Sequence, residues 1–486
     1  MMTIRFDTRN GYRSVGYTAI GSLAGVLGIG LAMPAYAQEC DPIETAKILA
    51  DDGVAGDYFG TSAAISGDWA LVGSFLAFGN SAHSGAVHAF KNIEGVWTQV
   101  DKFVPESLTS SNHFGGSISI SGDTAIIGAK GADENGDFSG TAYVFKLIEG
   151  EWTQQAQILA SDGARGDAFG SSVSIDGDTV IISAPGDADE GEYTGSAYIF
   201  TRTNGLWTQQ AKLLSPFPAE GDGFGTSVSI AGNTAFVGVP GANEFGTNSG
   251  IVYEFIRTGT TWSQTAKLLP TDGAAEDLFG SAVAIENDTA VVGAWFDEDN
   301  GPRSGSVYMF ERHDGLWIEQ TKLLPIDGAE GDQFGGVVSI NANTVVISAR
   351  RADVKYEGKI FSNSGAAYVF AHADGIWFQQ TKLTPADGHE NKGFGQAVAN
   401  EGESIIVGAL SDNENGHQAG AAYIFDLNCA PCAADFTNDG ILDFFDTTIF
   451  LKAYNSQDPI ADLTNDAIWD FFDISAFLQA FADGCP

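Results

Sequence analysis

Residues 169–214 read FGSSVSIDGDTVIISAPGDADEGEYTGSAYIFTRTNGLWTQQAKLL. Alternating apolar and polar positions, broken by Asp, Gly and Asn, divide the stretch into four strands: a, FGSSVSI; b, TVIISA; c, GSAYIF; d, LWTQQAKLL. The a–b connection DGD and the c–d connection TRTNG are short enough to be hairpins. The unit recurs. Phe-Gly occurs at Phe59, Phe114, Phe169, Phe224, Phe279, Phe334 and Phe394, spaced by 55 five times and then by 60. A tryptophan keeps the same rhythm at Trp97, Trp152, Trp207, Trp262, Trp317 and Trp377, so seven Phe-Gly units carry only six tryptophans.

Four antiparallel strands repeated seven times predict a mainly β fold, a seven-bladed β-propeller of four-stranded antiparallel blades. A solenoid of stacked strands is the alternative, but it gives no reason for the missing tryptophan strand. A closed ring does. The last unit leaves the pattern at Asp426 without a strand d, while ETAKILA (44–50) matches QQAKLLS (209–215). The N-terminal segment is therefore expected to complete blade seven and remove the free edge.

The four cysteines follow from the same alignment. Placing AKIL (46–49) on AKLL (211–214) sets Cys40 level with Gly205, and placing Ile424-Phe425 on Ile199-Phe200 sets Cys429 level with Asn204. A Cys40–Cys429 disulfide is expected at the hairpin where the chain ends meet, worth ~4–5 kcal/mol in the chain-entropy model. Cys432 and Cys485 then bracket the tail and pair with each other. A zinc site on Cys429-x-x-Cys432 is the competing reading; the absence of a second close pair of cysteines or histidines disfavours it.

Residues 1–37 have the features of a secretory signal: basic Arg5, Arg9 and Arg13, the apolar run TAIGSLAGVLGIGLAM, and Ala35-Tyr36-Ala37 before a mature start at Gln38. The expectation is a secreted or cell-surface protein without a transmembrane helix, since no later apolar run is long enough to span a bilayer. The net charge of −40, from 63 acidic and 23 basic residues, repels phosphate backbones and sets nucleic acid aside as a partner. The seven histidines occupy no common repeat position, and no serine lies in a GxSxG elbow, so the chain reads as a non-enzyme.

Seven in-phase copies resemble the FG-GAP repeat, the blade of the integrin α-subunit propeller. The resemblance covers about residues 44–427 and rests on the Phe-Gly pairs together with VGSF, IGAK, ISAP, VGVP, VGAW, ISAR and VGAL at the GAP position. Typical integrin-like blades carry a DxDxDG calcium loop between strands a and b. Here that connection is cut to two or three polar residues, as in ISGDT or IENDT, too few to encircle a cation that takes six to eight oxygens. Acid is concentrated instead in b–c connections (131–140, 186–195, 295–305) and d–a connections (161–170, 271–280), which open on one face. That face is either a solvated surface rich in turn residues or a recognition face for a basic or cation-bridged ligand.

The remaining segment, 429–486, follows the propeller (38–428) and contains DFTNDGILDFFD (435–446) and DLTNDAIWDFFD (462–473). Scored against the EF-hand positions 1, 3, 5, 7, 9 and 12, the ligands are Asp435, Thr437, Asp439, Ile441 by its carbonyl, Asp443 and Asp446 in the first copy. In the second they are Asp462, Thr464, Asp466, Ile468 by its carbonyl, Asp470 and Asp473. Two Ca2+ sites are expected, the second weakened because Ala467 replaces the turn glycine Gly440. Loop-then-helix, duplicated 27 residues apart, resembles a type I dockerin. That resemblance implies a small calcium-folded module that anchors the protein to a cohesin-type or surface partner, through loop positions occupied here by Phe444, Phe445, Phe471 and Phe472. The functional expectation is an exported binding or interaction protein, its propeller holding a protein or glycan ligand. A carbohydrate-binding lectin or a polysaccharide-active enzyme tethered by the tail is the alternative.

Overall fold

The computed structural model describes residues 42–427 apart from 357, 374 and 389, and in the tail residues 434, 436, 444–463 and 468–483. The segment read as an export signal and all four cysteines lie outside the described residues.

Seven four-stranded antiparallel sheets are ordered a-b-c-d. In blade three the strands are Val173–Asp176, Thr179–Ala184, Ser196–Thr203 and Leu206–Leu213. Blade seven takes its fourth strand from Ile43–Ile48, which pairs antiparallel with Ala421–Asp426 (Lys47 opposite Tyr423). Each strand a packs on the strand a of the next blade, and the cycle closes from Phe394–Glu401 to Phe59–Ser66. Among the described residues the fold is therefore a closed ring of seven blades. The inner strands surround a polar channel of about 500 Å3.

The Phe-Gly pair is the joint between blades. Every one of the seven phenylalanines is fully buried. Its backbone N–H donates to the preceding blade, as in Phe169 to Ser139 (2.9 Å) and Phe334 to Ser304 (2.9 Å). In blade three its ring meets two rings of its own strand c edge-on: Phe169 lies 5.5 Å from Tyr198 and 6.2 Å from Phe200, a geometry favoured by aromatic quadrupoles. Reading strand a as starting at Phe169 is therefore too generous in blade three. Gly170 turns to φ +91°, and a Cβ there would sit 2.5 Å from Thr141 O, so the chain bends before the strand begins at Val173. At the GAP glycine the contact is tighter still, with a Cβ on Gly128 falling 2.0 Å from Gly170 O. The c–d connection is also shorter than TRTNG. Only Asn204 and Gly205 (φ +53° and +80°) turn between the strands, as a type I′ hairpin requires.

Serines in strand a and just before it have a structural use. Ser119, Ser172, Ser174 and Ser229 each accept, through Oγ at 3.2 Å, the backbone N–H of the next inner strand (Ile175, Val228, Ile230 and Ile285). These hydroxyls satisfy N–H groups that would otherwise be exposed along strand edges.

The a–b turns hold a left-handed residue, glycine at 67, 122, 177, 232 and 402 and asparagine at 287. In blade six the position is Ala342, at φ +51°. A β-carbon is disfavoured there, so Ala342→Gly is expected to stabilise the protein by roughly 0.5–1 kcal/mol, after allowing for the greater freedom of glycine in the unfolded chain. A denaturant titration checks this; a loss of stability contradicts it.

Candidate functional site

The b–c and d–a connections meet on one face, and two sets of residues there recur around the ring, although blade two has Gln157 where the others have a lysine. The first is a cation held in acid. In blade three Lys212 lies opposite Tyr198 across strands c and d, with Nζ 5.3 Å from the ring centre. The same Nζ reaches Asp162 (2.8 Å), Asp187 (2.9 Å) and Asp189 (2.6 Å), and the Tyr198 hydroxyl donates to Asp187 at 3.1 Å. Blade five repeats this with Lys322, Tyr308, Asp272, Asp297 and Asp299. Burial alone would raise the Asp187 carboxyl, but the Asp189 N–H and Lys212 outweigh it and hold it below the usual range. Part of the acid in these connections is thus ion-paired within the blade, each cluster keeping a net negative charge. Glu190, Glu192 and Glu298 remain exposed and unpaired among the described residues.

A further carboxylate caps five of the seven d–a turns, and Asn112 caps that of blade two. Asp167 Oδ2 accepts the Ala164 N–H at 2.7 Å, Asp222 that of Ala219 at 2.9 Å, and Asp277 that of Ala274 at 2.6 Å. Burial raises these carboxyls, Asp277 up to about 6. In blade seven the capping position is taken by Lys392, which is fully buried. It pairs with Asp387 and with Asp412 (3.0 Å) and donates to the Tyr423 hydroxyl at 2.9 Å, beside Lys47 from the N-terminal strand. Blade one differs too, with buried His88 in the place of the tyrosine.

The second set is a ring of paired left-handed residues, hydrogen-bonded at six of the seven blade junctions. The N–H of Ala168 donates to Phe138 O (3.0 Å), Gly223 to Tyr193 O (3.0 Å), Leu278 to Asn248 O (3.1 Å), Gln333 to Arg303 O (3.2 Å), His113 to His83 O (3.4 Å) and Tyr58 to Gln418 O (3.2 Å). Apart from Gly223 these are all non-glycine residues with φ between +52° and +58°, a conformation that costs about 1 kcal/mol or more each. At these six junctions backbone and hydrogen bonding stay constant while the side chain changes from blade to blade. Phe138 and Tyr193 are 51% and 57% exposed. Reasoning from acid alone misses these residues. Their signal in the sequence is a variable column just before each Phe-Gly and each c-strand glycine, set between near-invariant columns.

A family model described as FG-GAP repeat matches residues 43–90, 97–145, 152–200, 207–255, 262–310, 317–370 and 377–425. The chain belongs to the FG-GAP repeat family. A search of curated proteins gave no match. The first FG-GAP segment begins at residue 43, where the donated strand begins, and the sixth is longer than the others. The excess falls in the b–c connection, which carries its own hairpin, Val354–Tyr356 paired with Lys359–Phe361.

In the tail, helix α1 (Phe444–Asn455) and helix α2 (Phe471–Asp483) each begin at loop position 10 of their repeat. Phe450 and Phe477, equivalent residues of the two copies, stack at 4.1 Å with planes 2° apart, over a small core with Ala434, Ala453 and Ala461. Of the twelve positions read as calcium ligands, Asp435, Thr437, Asp439, Ile441, Asp443, Thr464 and Asp466 lie outside the described residues. Asp446 and Asp473, position 12 in each copy, are wholly buried in the first turn of their helices, and Asp473 Oδ2 accepts the Asp470 N–H at 3.0 Å. Asp462 and Ile468 precede α2. Among the described residues no group of three or more potential metal ligands converges. Phe471 and Phe472 are 72% and 67% exposed rather than core; the side chains of Phe444 and Phe445 lie outside the described set. Among the described residues no helix is long and apolar enough to cross a membrane.

Proposed function

We propose that this is an exported, non-catalytic binding protein. Its ligand is held on the face formed by the b–c and d–a connections, and its tail fastens it through two calcium ions to a cohesin-type or surface partner. The observation that carries the first half is the ring of paired left-handed residues. One costly backbone is kept at successive blade junctions while its side chains vary, the pattern expected where a rigid scaffold presents a recognition surface. Support for the second half comes from Asp446 and Asp473: oxygen ligands at matching position 12 of the two loops suit a calcium ion. They would close each loop around calcium, while exposed Phe471 and Phe472 offer an apolar contact to a partner. A glycan rather than a protein ligand is favoured by one feature, the cavity between blades six and seven considered below.

The test uses the full chain. After chelator treatment it is expected to take up calcium at two sites by calorimetry, and Asp446→Asn with Asp473→Asn is expected to remove the uptake. Capture of a cell-surface partner should vanish with chelator, while ligand binding by the propeller persists. Calcium uptake unaffected by the double substitution refutes the tail assignment. Ligand binding unaffected by Phe138→Ser with Tyr193→Ser refutes the face.

A further inference from the structure

The b–c connection of blade six, residues 350–365, reads RRADVKYEGKIFSNSG: four cations against two carboxylates, in a chain whose other six b–c connections carry no net positive charge. It is also the connection with the inserted hairpin. Arg350 lies half-buried, its guanidinium 4.4 Å from the ring centre of Trp295 and its Nε donating to Gln333 Oε1 at 3.0 Å. Its two terminal nitrogens have no protein acceptor among the described residues, and none of them forms an ion pair with it. Arg351, exposed beside it, makes no side-chain hydrogen bond or ion pair among the described residues. Nearby Arg303 is likewise without a carboxylate partner and lies 4.6 Å from the ring centre of Phe296. Lys212, Lys322 and Lys47 in blades three, five and seven show the opposite arrangement, each held by three carboxylates.

Arg350 and Arg351 border a cavity of about 550 Å3 at the junction of blades six and seven, lined also by Asn363, Asn391, Gln396 and Ser411 among others. The volume suits a small ligand or a short oligosaccharide segment. Its lining pairs planar cations, which recognise carboxylate or sulfate through parallel N–H donors, with amide and hydroxyl groups that match sugar hydroxyls. We infer that this cavity binds an acidic sugar unit of a glycan, with Arg350 and Arg351 on its carboxylate or sulfate and the amide side chains on its hydroxyls. The inference deepens the reading of this face as ligand-binding and rests on it. The acid elsewhere on the protein opposes such a ligand only weakly, because charges beyond about 8–10 Å are screened at physiological salt. The carboxylates near it are Asp353, whose Oδ1 accepts the Asn363 N–H at 2.9 Å, exposed Glu390, and Asp387, Asp412 and Glu414 of the neighbouring cavity, these last three paired with Lys47 and Lys392.

The experiment is calorimetric titration of the full chain with three probes: an oligogalacturonate, a sulfated dextran oligomer and neutral dextran of equal length. Binding of either acidic probe, without binding of the neutral one, is the expected result, and the preferred acid identifies carboxylate or sulfate. Arg351→Glu is expected to weaken that binding at least tenfold, since a charge-assisted contact is replaced by a repulsive one. Thermal unfolding should be unchanged because the side chain is exposed and unpaired; Arg351→Ala, expected to lose less affinity, serves should the glutamate variant unfold early. Binding of no probe, equal binding of the neutral oligomer, or undiminished affinity in a folded Arg351 variant overturns the inference. The wider face is judged separately, by the Phe138 and Tyr193 substitutions against the natural ligand.

Discussion

Replacing Lys392 by methionine is expected to cost about 3 kcal/mol, the lower end of the range for breaking a buried ion pair by removing one partner. Lys392 is 1% exposed and Asp412 is 2% exposed, so neither charge has water as an alternative. Burial alone would raise the Asp387 carboxyl, but hydrogen bonds from Lys392 and Lys47 hold it well below the usual range. Without Lys392, Lys47 alone faces Asp387, Asp412 and Glu414. That is the arrangement of Lys212 in blade three, except that blade three has the capping carboxylate Asp167 in place of Lys392. Lys392→Asp is therefore expected to be milder than Lys392→Met, because it restores the turn cap used in other blades. Denaturant titration of the two variants decides the matter. A methionine variant as stable as the parent, or an aspartate variant worse than methionine, contradicts the account.

Acid should weaken blade one through His88. Its ring is buried edge-on against Phe59, with Nδ1 lacking a partner. Burial, aided by the charge of Lys102 and opposed by Asp52 and Gln99, lowers its pKa from 6.5 to about 4. A histidine depressed in the folded state stays neutral there, while the unfolded chain takes up a proton as pH falls below about 6.5. The stability it contributes is complete above that pH and is lost progressively down to about 4, amounting to roughly 3 kcal/mol. His88→Tyr places in blade one the residue found at this position in the other six blades, where the hydroxyl meets a carboxylate or another polar group. It is expected to remove that part of the acid sensitivity between pH 6.5 and 4. Unfolding free energies measured at both pH values test this; equal pH dependence in parent and variant overturns it.

The ring and its register were legible in the chain. A 55-residue rhythm of Phe-Gly and Trp fixes four strands per unit, because alternation sets which face of each strand is buried and Gly-containing turns set where it reverses. The deficit of one tryptophan strand similarly implies that the N-terminus supplies the last strand. Spacing along a chain, however, carries no information about which charges face each other across a blade. Acidic connections therefore suggested an open anionic face, yet Asp187 and Asp297 are buried against Lys212 and Lys322, lysines 25 residues away on strand d. The unusual members were just as hidden. Lys392 is one cation among 23 until the fold seals it between two carboxylates, and Arg350 and Arg351 are an ordinary pair until the fold leaves them without any. Periodicity is a local property and is written in the sequence. Burial and charge pairing depend on distance in space, and only the closed propeller decides them.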